Sequence, residues 1–340
     1  MSVAKITSAD VARRAGVSQS AVSRVFTPGA SASRKTVEKV RRAADELGYR
    51  PNILARAMVS GKSRIIGLVV AYLENYFYPE ALEKLSNALQ KQGYHVLVFM
   101  ASQTSGDVNE VVEEILDYQV DGIIAASVAL SSDLAQRCKE AGVPIVFFNR
   151  RQQGHDSSAV MSDNRSGGRS VANFLVAGGH QRIGYIAGWE GASTQVEREA
   201  GFLEGLAAHG IELHAREVGN YVLEQARQAA RDMFDRPDRP DAVFVANDHM
   251  AFGVIDVLRY ELGLSVPGDV SVVGYDDVPP AAWRAYDLTT VRQRANQMVD
   301  ATVEILMRQI NQGDTSPEEI LVEAPLVVRS TARIPEGWTQ

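Results

Sequence analysis

Cysteine is almost missing from this chain: Cys138 stands alone among 340 residues. One thiol closes no intramolecular disulfide, so the core must hold the fold, and a reducing compartment is the expected setting. No apolar run approaches the roughly 18 residues of a membrane-spanning helix. The opening MSVAKITSADVARRAGV lacks the apolar core and cleavage site of a signal peptide. Its six His residues show neither HExxH nor Cys/His ligand spacing, and GxSxG is absent, so metal and serine-hydrolase chemistry find no support in the sequence. Aromatic residues make up 7%, charged residues 23% and hydrophobic residues 45%. That is the balance of an ordinary globular chain long enough for two or three domains.

A net charge of −7 conceals a segregation. Residues 1–64 hold 13 Lys and Arg against 4 Asp and Glu, a net +9, whereas the remainder holds 22 against 38, a net −16. An acidic body with a basic head lets only the head approach a polyanion. In that head, TSADVARRAGVSQSAVSRVF reads as two short helices at a sharp angle. Ser8 or Thr7 can cap the first, with Val11, Ala12 and Ala15 on one side. Gly16 supplies the left-handed turn. Ser18 can cap a second helix whose Val22, Val25 and Phe26 face inward while Gln19, Ser20, Ala21 and Arg24 stay outside. A third helix, about 34–47, places Val37, Val40, Ala44 and Leu47 on one stripe and closes at Gly48.

Three short helices around one small core form a helix-turn-helix module, whose second helix enters the major groove. Gln19, Ser20 and Arg24 then reach base edges, since Arg pairs bidentately with guanine and Gln with adenine. Ser8, Ser23, Arg34 and Lys35, with Thr7 and Ser18 at the helix starts, face phosphates and set register. A bundle that merely packed on the body would leave this polar, basic outer face unexplained.

These residues, followed by GYRPNILARAMVSGKSRIIGLVV, resemble the head and hinge of the lactose/galactose repressor (LacI/GalR) family of bacterial transcriptional regulators in order, spacing and distance from the N-terminus. The similarity continues through nearly the whole chain. It implies that the segment matching 51–60 folds into a short helix when two copies meet in the minor groove at the centre of a palindromic operator. So short a helix is marginal in water. Asn52 can cap it, and Ile53, Leu54, Ala55, Ala57 and Met58 give it an apolar face. Ala55 and Ala57 are small enough for close approach to a partner or a sugar edge. Met58 stands where the family usually has the leucine that wedges between central base pairs, and a methionine is long enough to enter the same step.

From Ile65 onward short apolar runs alternate with helical patterns. The runs 65–71, 94–100, 121–126, 143–148, 182–188, 241–247 and 270–276 suit buried parallel strands. Helices are expected near 80–92, 107–118, 132–141, 164–177, 194–209, 222–235 and 248–262. The expected fold class is α/β: two doubly wound, Rossmann-like lobes behind an all-α head, with ligands at the carboxyl ends of the strands in the cleft between the lobes. After LTTVRQ come a helix near 293–312 and one strand-like stretch, EILVEAPLVVR. The resemblance implies periplasmic-binding-protein type I architecture with three crossovers. The domain plan is then 1–50 for the helix-turn-helix domain, 51–64 for the hinge and 65–340 for an effector-binding and dimerisation domain. Its N-lobe takes about 65–162 and 292–322, and its C-lobe about 163–291 and 323–340.

Polar groups stand where the strands end: Asn75 and Phe77 after the first, Asn149 and Arg150 after VPIVFF, Asn247 and Asp248 after AVFVA, and Asp276 after VSVVGY. Turns favour Asn and Asp on their own account, so Asp163, Asn164 and Asp248 serve equally well as caps. Together the set resembles the family's sugar-binding cleft. The resemblance puts a ligand-clamping arginine at Arg198, a stacking aromatic at Tyr221, and acceptors for hydroxyls or a ring N–H at Asn247 and Asp276. Trp283 and Arg284 are expected near the cleft mouth. Asp276, Asn247 and Arg198 suit several hydroxyls and Tyr221 a ring's C–H face, which favours a sugar, sugar acid or sugar phosphate over a nucleobase. The surplus of guanidiniums at Arg150, Arg198, Arg284 and Arg292 points to a carboxylate or phosphate on the ligand.

The expected protein is a cytoplasmic, DNA-binding transcriptional repressor without enzymatic activity, cofactor or membrane partner. It binds a palindromic operator as a homodimer, and a small carbohydrate-like effector rearranges its lobes. Tetrameric members of the family add a C-terminal leucine-heptad helix, which Pro335 and Gly337 in STARIPEGWTQ would break. A sugar-binding or sugar-processing α/β protein with an accessory nucleic-acid-binding head fits part of the pattern but lacks catalytic geometry. A secreted solute-binding protein would carry a signal and no basic head.

Overall fold

Local capping decides where the first helices begin in the computed structural model, which describes residues 6–27, 30–50, 62–101, 105–128, 132–151, 157–314 and 316–338. In α1 (Ser8–Ala15), Thr7 accepts from the Asp10 amide at 3.4 Å while the Asp10 carboxylate accepts from the Thr7 amide at 3.0 Å. That reciprocal box makes Thr7 the cap and leaves Ser8 as the first helical residue. Ser18 caps α2 (Gln19–Phe26) through the Ala21 amide at 3.2 Å, and Ser33 caps α3 (Arg34–Leu47) through the Thr36 amide at 3.2 Å. Gly16 and Gly48 close α1 and α3 at φ 65° and 66°, where a side chain would be strained. Val11, Val22 and Val40 form the small core with Ala12, Ala43 and Ala44, and Phe26 packs on Tyr49 at 5.9 Å. Ala43 is buried although it lies off the expected stripe, while Val37 and Leu47, on that stripe, are only half-buried. This head belongs to one compact unit, Met1–Arg64; the other is Ile65–Gln340. The expected hinge helix, with Asn52, Ala55 and Met58, lies outside the described residues.

Two six-stranded sheets build the second unit. One runs in the order β11 (Glu319–Val322), β5 (Ser158–Ser162), β4 (Ile145–Phe148), β3 (Gly122–Ala126), β1 (Ile65–Val70) and β2 (His95–Met100), all parallel. The other runs β12 (Leu326–Val327), β10 (Thr289–Arg292), β9 (Ser271–Asp276), β8 (Ala242–Val245), β6 (Ile183–Ala187) and β7 (Ala215–Val218). Only β12 is antiparallel there. The central strands IIGLVV, GIIAA, IVFF, IGYIA and AVFV are buried on both faces, as the near-continuous apolar runs require.

The crossover helices are α4 (Phe77–Lys91), α5 (Ser105–Asp117), α6 (Ser132–Glu140), α7 (Asn164–Ala177), α8 (Ser193–Ala208), α9 (Leu223–Phe234), α10 (Asp248–Asp256) and α11 (Ala295–Gln312). EILVEAPLVVR, read above as one strand, is two. Pro325 cannot donate to a ladder, and around it the chain leaves the first sheet as β11 and enters the second as β12. Serine-containing β5 and the half-exposed AREV of β7 carry no apolar run, which is why neither was foreseen.

Helices α7 and α8 make an unusually close pair. A Cβ on Gly168 would strike the Arg198 carbonyl, and one on Gly201 would strike the Arg165 carbonyl. This approach fixes α8, and with it Arg198, against the carboxyl ends of the second sheet.

Candidate functional site

The strands deliver their polar residues to one cleft between the sheets, and several turns that do so are backbone-strained. Ser127 after β3, Asn149 after β4, Tyr221 after β7 and Asp276 at the end of β9 all have positive φ, at 62°, 65°, 62° and 122°. Non-glycine residues are held in that region only where the surrounding structure over-determines them.

Asp276 is the centre. Its Oδ1 accepts from Gln293 Nε2 at 2.7 Å and Arg198 Nη2 at 3.3 Å, and its Oδ2 accepts from Asn75 Nδ2 at 2.9 Å. Arg198, 2% exposed, also donates to Asn164 Oδ1 at 2.9 Å and to the Ala246 carbonyl at 2.6 Å, with its guanidinium 3.6 Å from the Tyr275 ring centre. Burial opposes the Arg198 cation, yet the Asp276 carboxylate holds its pKa above the ordinary value. Burial pushes the Asp276 carboxyl upward, against the pull of Arg198 and of the Asn75 and Gln293 donors. The pair is therefore a buried, hydrogen-bonded ion pair and part of the cleft wall.

Other expected residues divide between scaffold and open valence. Asn75 is spent twice, on Asp276 and on the Phe77 amide at 3.1 Å. Phe77 is buried against Phe148 and Tyr78. Asn247 caps α10 through the Met250 amide at 3.0 Å, while its Nδ2 is buried without a partner. Asn149 donates to the Tyr78 hydroxyl at 3.2 Å and keeps Oδ1 unmatched. Arg150 donates to the Ser127 carbonyl at 2.9 Å and keeps Nε unmatched. The Tyr221 ring lies against Gly188, where any Cβ would collide with it, and its hydroxyl meets Thr194 Oγ1 at 3.4 Å. Asp163 and Asn164 are structural: the first caps α7 and the second holds Arg198. Asp248 braces the loop after β9, accepting from Thr290 Oγ1 at 2.5 Å and the Val278 amide at 3.0 Å, and burial lifts its pKa well above the usual carboxylate range.

Sequence reasoning missed Tyr72, Tyr78, Ser127, Trp189 and Gln293. Burial raises the phenol pKa values of both Tyr72 and Tyr221, against the opposing pull of the Arg150 charge, and the Tyr72 ring meets Tyr78 edge-on at 5.1 Å. Trp189 lies over the Arg150 guanidinium at 5.6 Å. Trp283 and Arg284 are exposed, and Arg292 is paired with Asp277 at 2.5 Å. Polar contacts that join the lobes include Asn75 to Asp276, Gln293 to Asp276, and Arg151 to Glu197 at 2.8 Å, and Gln293 is itself held by Ser162 at 2.8 Å.

In the head, Gln19, Ser20, Ser23 and Arg24 are all exposed on α2. Gln19 Nε2 donates to Ser8 Oγ at 2.9 Å, and Ser18 and Ser20 share a bond of 2.9 Å. Arg24 has no acidic partner among the described residues. Arg34 pairs with Glu38 at 3.2 Å, but at 95% and 65% exposure the pair is solvated and free to exchange. The Thr7 hydroxyl is committed to Asp10 at 2.7 Å. Among the described residues no three His, Cys, Asp or Glu side chains could hold a metal ion, and no helix is long and apolar enough to cross a membrane.

Comparison with known proteins agrees at both ends of the chain. Residues 7–52 match the family described as bacterial regulatory proteins, lacI family, and residues 172–332 match the periplasmic binding protein-like domain. The HTH-type transcriptional repressor PurR of Vibrio vulnificus (strain CMCP6) is 30% identical over 95% of this chain and 98% of its own. The HTH-type transcriptional regulator CelR of Thermobifida fusca is 35% identical over 94% and 96%. Among solved structures, the Lac repressor dimer bound to operator and the anti-inducer ONPF superposes with a TM-score of 0.86 at 30% identity, covering 96% of this chain and 99% of that one. A CelR–cellobiose complex gives 0.73 at 32% identity, covering 96% and 100%.

Proposed function

This chain belongs to the lacI family of bacterial regulatory proteins, and from that premise we propose a cytoplasmic, homodimeric transcriptional repressor that binds a palindromic operator and answers to a small carbohydrate-like effector. One observation carries the reading. The same chain holds a basic helix-turn-helix head with Gln19, Ser20, Ser23 and Arg24 exposed on one helix, and a buried polar cleft with unmatched hydrogen-bonding atoms on Ser127, Asn149, Arg150 and Asn247. Buried polar atoms without partners are costly, so a cleft that collects them is built for a ligand that supplies the missing bonds.

The division of labour follows the charge. Residues 1–50 read DNA: Arg24, Gln19 and Ser20 face bases, and Ser8, Ser23 and Arg34 face phosphates. Residues 51–64 form the hinge, with Asn52 as cap, Ala55 at the close approach and Met58 as wedge. Residues 65–340 bind effector and dimerise. The N-lobe leaves Val98, Met100 and Tyr118 exposed at its β2 edge, large apolar side chains that a second copy would cover. In the cleft, Arg198 and Asp276 are a fixed wall, Tyr221 covers a ring's C–H face, and Asn149, Arg150 and Asn247 complete the ligand's polar bonds. The ligand touches residues of both lobes, so its occupancy biases lobe closure and thereby the spacing of the two hinges in the dimer.

The test is a fluorescence-anisotropy titration of the full-length protein on duplexes from its own upstream region and on shuffled duplexes, at about 150 mM salt, where non-specific binding is weak. Tighter binding to one native fragment by about a thousandfold or more is the expected result. Equal affinity for native and shuffled DNA would overturn the assignment.

A further inference from the structure

Charge in the cleft is unbalanced. The Arg198 cation is matched by Asp276, and Arg151 by Glu197 and Glu319. Arg150, only 4% exposed, pairs with no carboxylate among the described residues. Its Nη1 reaches the Ser127 carbonyl at 2.9 Å, its Nε is buried without an acceptor, and the Trp189 ring centre lies 5.6 Å from its guanidinium. A carbonyl and an aromatic face replace only part of the hydration that a guanidinium loses on burial. The residue before it is the neutral Asn149, whose Oδ1 is also unmatched, as is Ser127 Oγ. Three groups on neighbouring strand ends, two of them joined by the Arg150–Ser127 bond, therefore await partners: a cation that needs an anion, an oxygen that needs a donor, and a hydroxyl that takes either role.

We propose that the effector is a small sugar acid whose single carboxylate is held by Arg150 beside Ser127 and Trp189, while its hydroxyls engage Asn149 and Asn247. Arg150 is then the residue that sets specificity for acid over neutral sugar. The inference rests on the reading of this cleft as the effector site. A planar guanidinium fork matches a carboxylate geometrically as well as electrically. One unmatched positive charge fits one negative charge, which favours a carboxylate over a phosphate monoester carrying close to two at neutral pH.

Isothermal titration of the full-length protein with matched sets tests this: gluconate, glucuronate, glucose and glucose 6-phosphate, and the corresponding galactose series. One acid should bind about tenfold or more tighter than its neutral and phosphorylated counterparts. Arg150→Gln should abolish that preference, and Arg150→Lys, which keeps the charge without the fork, should retain part of it. Trp189 emission should change on binding the acid, and Trp189→Phe should remove the change. A neutral sugar or a phosphate ester bound more tightly than its acid overturns the carboxylate assignment and leaves the cleft as a carbohydrate site, and so does an acid preference that survives in Arg150→Gln. Failure of every compound to bind the folded wild-type protein overturns the carbohydrate reading of the cleft and the proposal with it.

Discussion

Consider Asp276→Asn, which keeps the shape of the side chain and removes its charge. Asp276 accepts from three groups, Arg198 at 3.3 Å, Gln293 at 2.7 Å and Asn75 at 2.9 Å. An amide offers one acceptor edge and one donor edge. In either orientation its NH2 meets a donor, the Asn75 amide on one side or the Arg198 and Gln293 pair on the other. Asn75 cannot turn over to help without surrendering its bond to the Phe77 amide at 3.1 Å. The change also strands the Arg198 cation, which is 2% exposed. Removing one partner of a buried ion pair costs about 3–5 kcal/mol, which in a body of this size lowers Tm by roughly 10 °C. Urea unfolding followed by tryptophan emission gives the free energy, and the comparison is Asp276→Asn, Arg198→Met and the double variant. The double should be less destabilised than the sum of the singles by about 1–3 kcal/mol, because the second change removes a charge that the first left unpaired. A loss below about 1 kcal/mol for Asp276→Asn, or strict additivity, would refute the picture of a buried pair supporting the cleft.

Gly201→Ala should separate α7 from α8, since its Cβ would strike the Arg165 carbonyl, and cost about 1–3 kcal/mol by thermal unfolding; an unchanged Tm would show that the helices yield freely. Asp248 has a folded pKa raised by burial, so its contribution is fully present below the ordinary value of 3.8 and is lost as pH rises through the folded value. Wild-type stability should therefore fall more steeply above about pH 4 than that of Asp248→Asn, by about 1.4 kcal/mol per unit of displacement, and parallel urea-midpoint profiles would contradict this. Arg24→Ala should cost about 1–3 kcal/mol of discrimination between operator and a single-base variant while barely changing binding to shuffled DNA. A uniform loss on all sequences would make Arg24 a phosphate contact. Sedimentation equilibrium should find a dimer at micromolar protein, and a dominant tetramer would require an interface beyond the exposed β2 edge.

The parts legible beforehand were those whose physics is local. Runs such as IIGLVV and IVFF announce buried strands because both faces are covered, and TSADVARRAGVSQ announces its turn through a cap, a glycine and a second cap. Strands β5 and β7 stayed hidden because Ser158, Ser162, Arg216 and Glu217 break the apolar pattern while neighbours in space make the ladder. The break at Pro325 depends on which sheet each flank reaches, which is tertiary information. Arg198 was named from resemblance and Asp276 from its strand end as well, but their mutual pairing leaves them less available to a ligand than their types alone suggest. Conversely, nothing in FFNRR distinguishes Arg150 from the paired Arg151; only the positions of Glu197 and Glu319 do that. Tyr221 at φ 62° carries a strain that no composition or spacing discloses.

The central claim is that the head and the cleft are coupled, and linkage tests it without assuming how the lobes move. The cleft ligand identified by the calorimetric panel is titrated into the free dimer and into the dimer saturated with operator DNA. Its affinity should differ between the two by about 5–150-fold, and the ligand should shift operator affinity by the same factor. Equal ligand affinity for the free and the operator-bound protein would contradict the account, however tightly each site binds alone.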